Sequence, residues 1–211
     1  MATFHYTPLT AEEIDAIVKN TAVYNTGGLD KSRPAFDDRL IGRSMTIKYD
    51  NGVTLNYMFN SLHSLTWWEG DSEELHMEYY ECLAGDDEVL QVTHLRKGTS
   101  PQQAIITVLD LETRLVTTFF SKFGNDFSAR EVDRDIVFGY IDEAGKDAPE
   151  ARHSMTTDLV GKSIIWTYHD DFVIQHVYTS PIYSCFIDYS TFYGGVMIPA
   201  ACNYVKINDH M

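Results

Sequence analysis

The sequence predicts an all-β chain, an antiparallel barrel carrying a short N-terminal helix, and three observations lead there. Short runs of alternating residues recur from Ser44 to Phe120, each bounded by turn residues such as Gly70-Asp71, Ala84-Gly85-Asp86-Asp87, Lys97-Gly98-Thr99 and Glu112-Thr113. The 13 Tyr, 11 Phe and 3 Trp favour strands and aromatic interiors. Finally, Arg39–Phe59 is echoed at Asp158–Tyr178: Leu40 falls on Leu159, Gly42 on Gly161, Ser44 on Ser163 and Tyr49 on Tyr168, at one offset of 119 (159 − 40). The repeat unit is a β-hairpin, because each copy holds two alternating runs around a tight polar turn, Asp50-Asn51-Gly52 and His169-Asp170-Asp171.

Residues 1–38 are expected to form a helix and a loop. Thr10 can cap the first free amides while Glu13 reaches back, and Ile14, Ile17 and Val18 share one helical face, which suits a lid on the barrel end. Gly27-Gly28 and Arg33-Pro34 mark the loop that follows. Residues 39–145 form the first barrel unit, with strands at 44–50, 53–59, 62–68, 75–82, 88–95, 103–110 and 114–120. Alternation points Met45, Ile47 and Tyr49 inward, then Val53, Leu55, Tyr57 and Phe59. From Ser121 to Thr157 the chain turns polar and reads as a connector with one strand candidate, Asp135–Ile141. Residues 146–211 form a second, partial unit that completes or flanks the first, with strands near 163–168, 172–179, 182–189 and 201–207. An antiparallel meander of this kind closes on itself and so removes its edges.

Charge narrows the partners. Sixteen Lys and Arg against 31 Asp and Glu give a net charge of −15, which argues against nucleic acid because few cations are available to displace its counterions. No apolar run reaches membrane-spanning length, and the start lacks a basic stretch followed by an apolar one, so a membrane or secretory address is not expected. Cys82, Cys185 and Cys202 are too few and too spread for a disulfide framework, which suits the cytoplasm.

The residues that could carry chemistry are aromatic and titratable together. Tyr49, Tyr57, Trp67, Trp68, Tyr79 and Glu81 come from the first unit, and Trp166, Tyr168, His176, Tyr178 and Tyr183 from the second. Rings supply apolar area and hydroxyls fix orientation, as a small-molecule site requires, although any single inward tyrosine is more often a core residue. Glu81 and His94 are acid/base candidates inside strand patterns; Glu81 shares its parity with Met77 and Tyr79, and His94 with Leu90 and Val92. His176 lies on the apolar parity between Ile174 and Tyr178, and a satisfied core histidine is as good a reading of it as a catalytic one. No His-x-His or His-x-x-x-His pair occurs, so neither a metal nor another cofactor is expected.

Leu40-Ile-Gly-Arg through Tyr49-Asp-Asn-Gly, and later Asp158-Leu-Val-Gly-Lys, His176-Val-Tyr178, Ser180-Pro-Ile-Tyr183 and Cys202-Asn-Tyr204-Val-Lys206, resemble the two units of the MoaF family, whose members are lipocalin-like (calycin) β proteins. The chain stops soon after Lys206, where that resemblance implies further strands. A more distant similarity is to the cofactor-free phenolic acid decarboxylases, which share the first hairpin. Their tyrosine pair is reduced here to Ile47 and Tyr49, with Trp166 and Tyr168 in the second copy, and their arginine and glutamate have no match.

The expected function is therefore a cofactor-independent enzyme of lyase or isomerase type acting on an aromatic or unsaturated metabolite. Its catalytic candidates are His176, Tyr178, Glu81, Tyr49 and His94; its binding candidates are Tyr57, Trp67, Tyr79, Trp166, Tyr168 and Tyr183. A non-catalytic binding protein and an assembly partner are the alternatives. The expected partners are a small ligand and a second copy of the chain, in a homodimer.

Overall fold

The computed structural model describes residues 34–124, 132–169, 172–189 and 197–211. The helix expected around Thr10–Val18 lies outside the described residues. The chain divides into two compact units, Pro34–Ser154 with Ile207–Met211, and Met155–Lys206.

The first unit is a closed antiparallel barrel of eight strands in sequence order: β1 (Ser44–Tyr49), β2 (Thr54–Phe59), β3 (Ser64–Glu69), β4 (His76–Ala84), β5 (Val89–Arg96), β6 (Gln103–Asp110), β7 (Leu115–Phe123) and β8 (Val132–Asp142). Each strand pairs with the next, and β8 returns to β1 with Tyr49 opposite Gly139 and Thr46 opposite Asp142. Closure leaves no edge to protect. The Asp50-Asn51-Gly52 turn forms as the sequence predicts: Gly52 has φ +87° and donates to the Tyr49 carbonyl at 3.0 Å, while the Val53 amide donates to Asn51 Oδ1 at 3.0 Å.

The stretch expected to be mainly connector contains an eleven-residue strand, β8. It pairs along β7 from Leu115↔Tyr140 to Phe123↔Val132 and closes the barrel on β1. The described part of the connector continues outside β7, where the buried His153 places Nδ1 2.8 Å from the Thr117 hydroxyl.

The inward set of β1 and β2 is as alternation requires: Ile47, Tyr49, Leu55, Tyr57 and Phe59 are all buried. At one end of the barrel the interior is filled by apolar side chains, among them Leu40, Phe59, Leu65, Cys82 and Leu90. Polar atoms collect toward the opposite end, where β5 runs into β6 and β7 into β8.

The second unit contains a four-stranded antiparallel sheet, β10 (Ser163–His169), β11 (Phe172–Tyr178), β12 (Tyr183–Asp188) and β13 (Met197–Ala201), in that order. The two-residue strands β9 (Ser154–Met155) and β14 (Val205–Lys206) form the remaining ladder. The sequence repeat is also a repeat of hydrogen bonding. Gly42 donates to the Phe59 carbonyl and Gly161 to the Tyr178 carbonyl, both at 2.8 Å, and both glycines have positive φ, +76° and +83°. Register follows the same offset: Met45↔Tyr57 becomes Ile164↔His176, and Tyr57↔Trp67 becomes His176↔Phe186. His176 thus stands where the barrel has Tyr57, and Phe186 where it has Trp67.

Candidate active site in the barrel

The site is assembled by cross-strand neighbours. Tyr57 on β2 lies opposite Trp67 on β3, and Tyr80 on β4 lies opposite His94 on β5, which brings Glu78 diagonally beside that histidine. Glu78 Oε2 sits 2.5 Å from His94 Nδ1 in a pair whose side chains are 3% and 1% exposed. The other carboxylate oxygen accepts the Lys97 amide at 3.0 Å. The His94 ring is 5.8 Å from the Tyr57 ring, edge-on, and 5.9 Å from the Trp67 ring.

Burial alone would raise the Glu78 carboxyl, but the hydrogen bonds from His94 and the Lys97 amide outweigh it, and the pKa lies below its usual value. The Trp67 indole adds to this effect without reaching hydrogen-bond geometry of its own. Glu78 is therefore a carboxylate at neutral pH, and as an acceptor it takes the hydrogen bond that His94 Nδ1–H donates. The other ring nitrogen, Nε2, is buried and without a partner. Tyr57 Oη and Trp67 Nε1 are likewise buried and unmatched. Three polar atoms facing one aromatic interior with no bond to make are unusual, since buried polar groups are nearly always paired.

Tyr49 closes the other side of this polar region. Its hydroxyl is 2.7 Å from Thr118 Oγ1, which is 3.0 Å from Thr107 Oγ1. Burial pushes the Tyr49 phenol up to about 12 against those hydrogen bonds, and pushes Tyr57 well above the usual tyrosine range, with the Thr107 hydroxyl acting weakly in the opposite sense. Both phenols stay protonated at neutral pH and can donate a hydrogen bond.

At the barrel mouth, where β5 ends, β6 begins, β7 ends and β8 begins, lies a cleft of about 270 Å³. Its walls include Ile105 and Phe120, and the Phe120 ring stands 5.8 Å from that of Tyr49.

Of the residues predicted from sequence, the barrel brings together Tyr49, Tyr57, Trp67 and His94. Tyr79 and Glu81 take the opposite face. Met77 is 64% exposed and Tyr79 54%, and the Tyr79 hydroxyl donates to Glu81 Oε1 at 3.2 Å on the outer wall. The expected parity of β4 is thus reversed: Glu78, Tyr80 and Cys82 point inward because Tyr80 pairs with His94 and Glu81 with Thr93. Glu78 is the residue that sequence reasoning missed.

The remaining predicted residues belong to the second unit. There His176 lies 6.4 Å from Trp166, 6.1 Å from Tyr178 and 6.2 Å from Phe186, ring to ring. Tyr178 is buried and packs edge-on against Tyr204 at 5.5 Å. Among the described residues Trp166, Tyr168 and Tyr183 are exposed on the four-stranded sheet and are not part of the closed barrel, which corrects the expectation that they line its interior. Among the described residues, no three His, Cys, Asp or Glu side chains are placed to hold a metal ion, and no helix is long and apolar enough to cross a membrane.

No curated protein matches the chain. Among solved structures, a crystal structure of a Burkholderia vietnamiensis protein provisionally titled a beta-lactamase is similar at 13% identity and a TM-score of 0.39, over 52% of this chain and 96% of that one. The family model of the MoaF N-terminal domain matches residues 26–125, a span that includes β1 to β7 and holds Glu78, His94, Tyr57 and Trp67. Residues 26–125 are thus similar in sequence to the MoaF N-terminal domain.

Proposed function

We propose that the barrel is a cofactor-independent small-molecule enzyme of lyase or isomerase type, acting on an aromatic or unsaturated ligand held in its polar half. The observation that carries this reading is the Glu78–His94 pair with its unpartnered Nε2. A carboxylate that fixes the tautomer of a buried histidine leaves the other ring nitrogen ready to take a proton, the arrangement general-base catalysis requires. Tyr57 Oη and Trp67 Nε1 supply donors for the oxygen that gains charge as the proton leaves, and a dry interior strengthens both. In this scheme His94 removes a proton from an activated carbon or hydroxyl of the ligand and returns it at a neighbouring position or to the leaving group. Glu78 stays ionised throughout.

The alternative is a carrier. It is favoured by the same two unmatched donors, which an acceptor-bearing ligand would satisfy without any reaction. Native mass spectrometry of the protein from its own cells, under conditions that retain small ligands, identifies the compound; turnover is then followed in the wild type and in His94→Gln. A loss of about a hundredfold or more with binding retained supports the enzyme. Unchanged turnover in that variant removes it, and tight binding without turnover in either protein assigns the carrier.

A further inference from the structure

Arg96 is the inward-parity residue that ends β5, two positions after His94. Its guanidinium carbon lies 5.0 Å above the Trp67 ring, and Nη1 donates to Gln103 Oε1 at 2.9 Å. It also lines the cleft at the barrel mouth. Several cations of the barrel have carboxylate partners: Arg39 with Asp37, Arg152 with Asp50, Lys48 with Asp142 and Lys122 with Asp133. Among the described residues, none is within ion-pair distance of Arg96. Among the described residues the half-buried Arg96 guanidinium bonds to the neutral amide of Gln103, which leaves its charge to be met by a ligand.

We propose that Arg96 anchors the anionic group of the ligand, so that the barrel mouth takes a small planar monoanion, an aromatic or unsaturated carboxylate, with its charge on Arg96 and its apolar body against Ile105 and Phe120. This rests on the barrel interior being the ligand site. A guanidinium presents five donors in a planar fork, and the bond to Gln103 uses one, leaving donors spaced to grip a carboxylate at two points. The aromatic face beneath Arg96 keeps the fork flat and partly desolvated, which strengthens its hold on an anion. A single negative charge fits because the cleft walls carry Arg96, Lys122 and Arg134 against Asp133 and Asp135, one cation in excess; a doubly charged phosphate monoester would exceed it. The cleft volume of about 270 Å³ falls at the small end of ligand pockets, which excludes a nucleotide or other extended molecule.

The test is a titration of the full chain with benzoate and sorbate and with the matching amides, benzamide and sorbamide, by calorimetry and tryptophan fluorescence. The acids are expected to bind about tenfold more tightly than their amides in the wild type, the scale of one charge-assisted contact. Arg96→Gln removes the difference while leaving amide affinity unchanged, and Arg96→Lys keeps part of it. The wild-type comparison decides even if a variant does not fold: failure of both acids to outbind their amides overturns the proposal, as does a preference that survives Arg96→Gln. In His94→Gln the preference is expected to persist, because the anchor does not depend on proton transfer. Unchanged turnover in that variant alongside an Arg96-dependent preference would remove the chemistry and leave the anchor standing.

Discussion

His94 Nδ1 lies 2.5 Å from Glu78 Oε2 inside the barrel, with neither side chain more than 3% exposed. A charged carboxylate at this depth would be costly alone, and its two hydrogen bonds are what keep it ionised. Replacing Glu78 by Gln is therefore expected to destabilise the fold by about 2 kcal/mol at pH 7, the scale of a charge-assisted buried bond. The sign with pH is fixed. The folded carboxyl has a lower pKa than the unfolded one, so its contribution is complete above the unfolded carboxylate value and is lost as pH falls through the folded value. Urea midpoints between pH 7 and pH 3 should show an acid-side fall in the wild type that Glu78→Gln lacks in part. Parallel curves would mean the pair contributes nothing.

Tyr49 and Tyr57 are both buried phenols, but only Tyr49 has a bonded hydroxyl. Tyr49→Phe should cost about 1 kcal/mol, the net value of one buried hydrogen bond. Tyr57→Phe should cost nothing or raise stability in the ligand-free protein, since it deletes an unpaired hydroxyl, and should weaken ligand binding. Thermal melts of the two variants separate the cases. An equal loss at both positions would show that Tyr57 Oη has a partner.

His153 gives a second, separate pH window. Burial holds its pKa below the usual histidine value, with the Asp110 carboxylate pulling the other way. Because the folded imidazole resists protonation, its contribution is complete above the unfolded value of about 6.5 and falls as pH drops toward the folded value. His153→Gln, which can keep a bond to the Thr117 hydroxyl, should flatten the stability curve between pH 7 and pH 5 and leave the more acidic Glu78 window in place. A slope that survives the substitution assigns that titration to another group.

The residues show where sequence sufficed. β1 and β2 were legible because Asn51-Gly52 fixes the turn and Ile47, Tyr49, Leu55, Tyr57 and Phe59 alternate cleanly around it. β4 was not, because both parities carry apolar residues, Met77, Tyr79 and Leu83 on one and Tyr80 and Cys82 on the other. An interior carboxylate, Glu78, made the true inward face look like the outer one. Only pairing with β5 decides, and register is a long-range property. β8 was underread for a related reason: its first half, Asp133-Arg134-Asp135, is polar because it borders the mouth and pairs Asp133 with Lys122. The His153 contact spans 36 positions and leaves no local signal.

Gly139 marks the seam where β8 returns to β1. It lies opposite Tyr49, and a Cβ built there would stand 2.4 Å from the Lys48 carbonyl oxygen and 3.0 Å from Tyr49 Cα. Both are backbone atoms, so no side-chain rotation relieves the clash; the two strands must separate. Gly139→Ala should therefore cost about 3 kcal/mol, at the upper end for an overpacked core, although alanine is otherwise the mildest replacement. The displacement would also move Tyr49, whose hydroxyl anchors the Thr118–Thr107 chain beside the polar interior. Loss of ligand binding should accompany loss of stability here, whereas Tyr57→Phe should separate the two. Chemical denaturation and binding measured on the same two variants check this, and a Gly139→Ala protein of wild-type stability would show that the seam is looser than its backbone spacing implies.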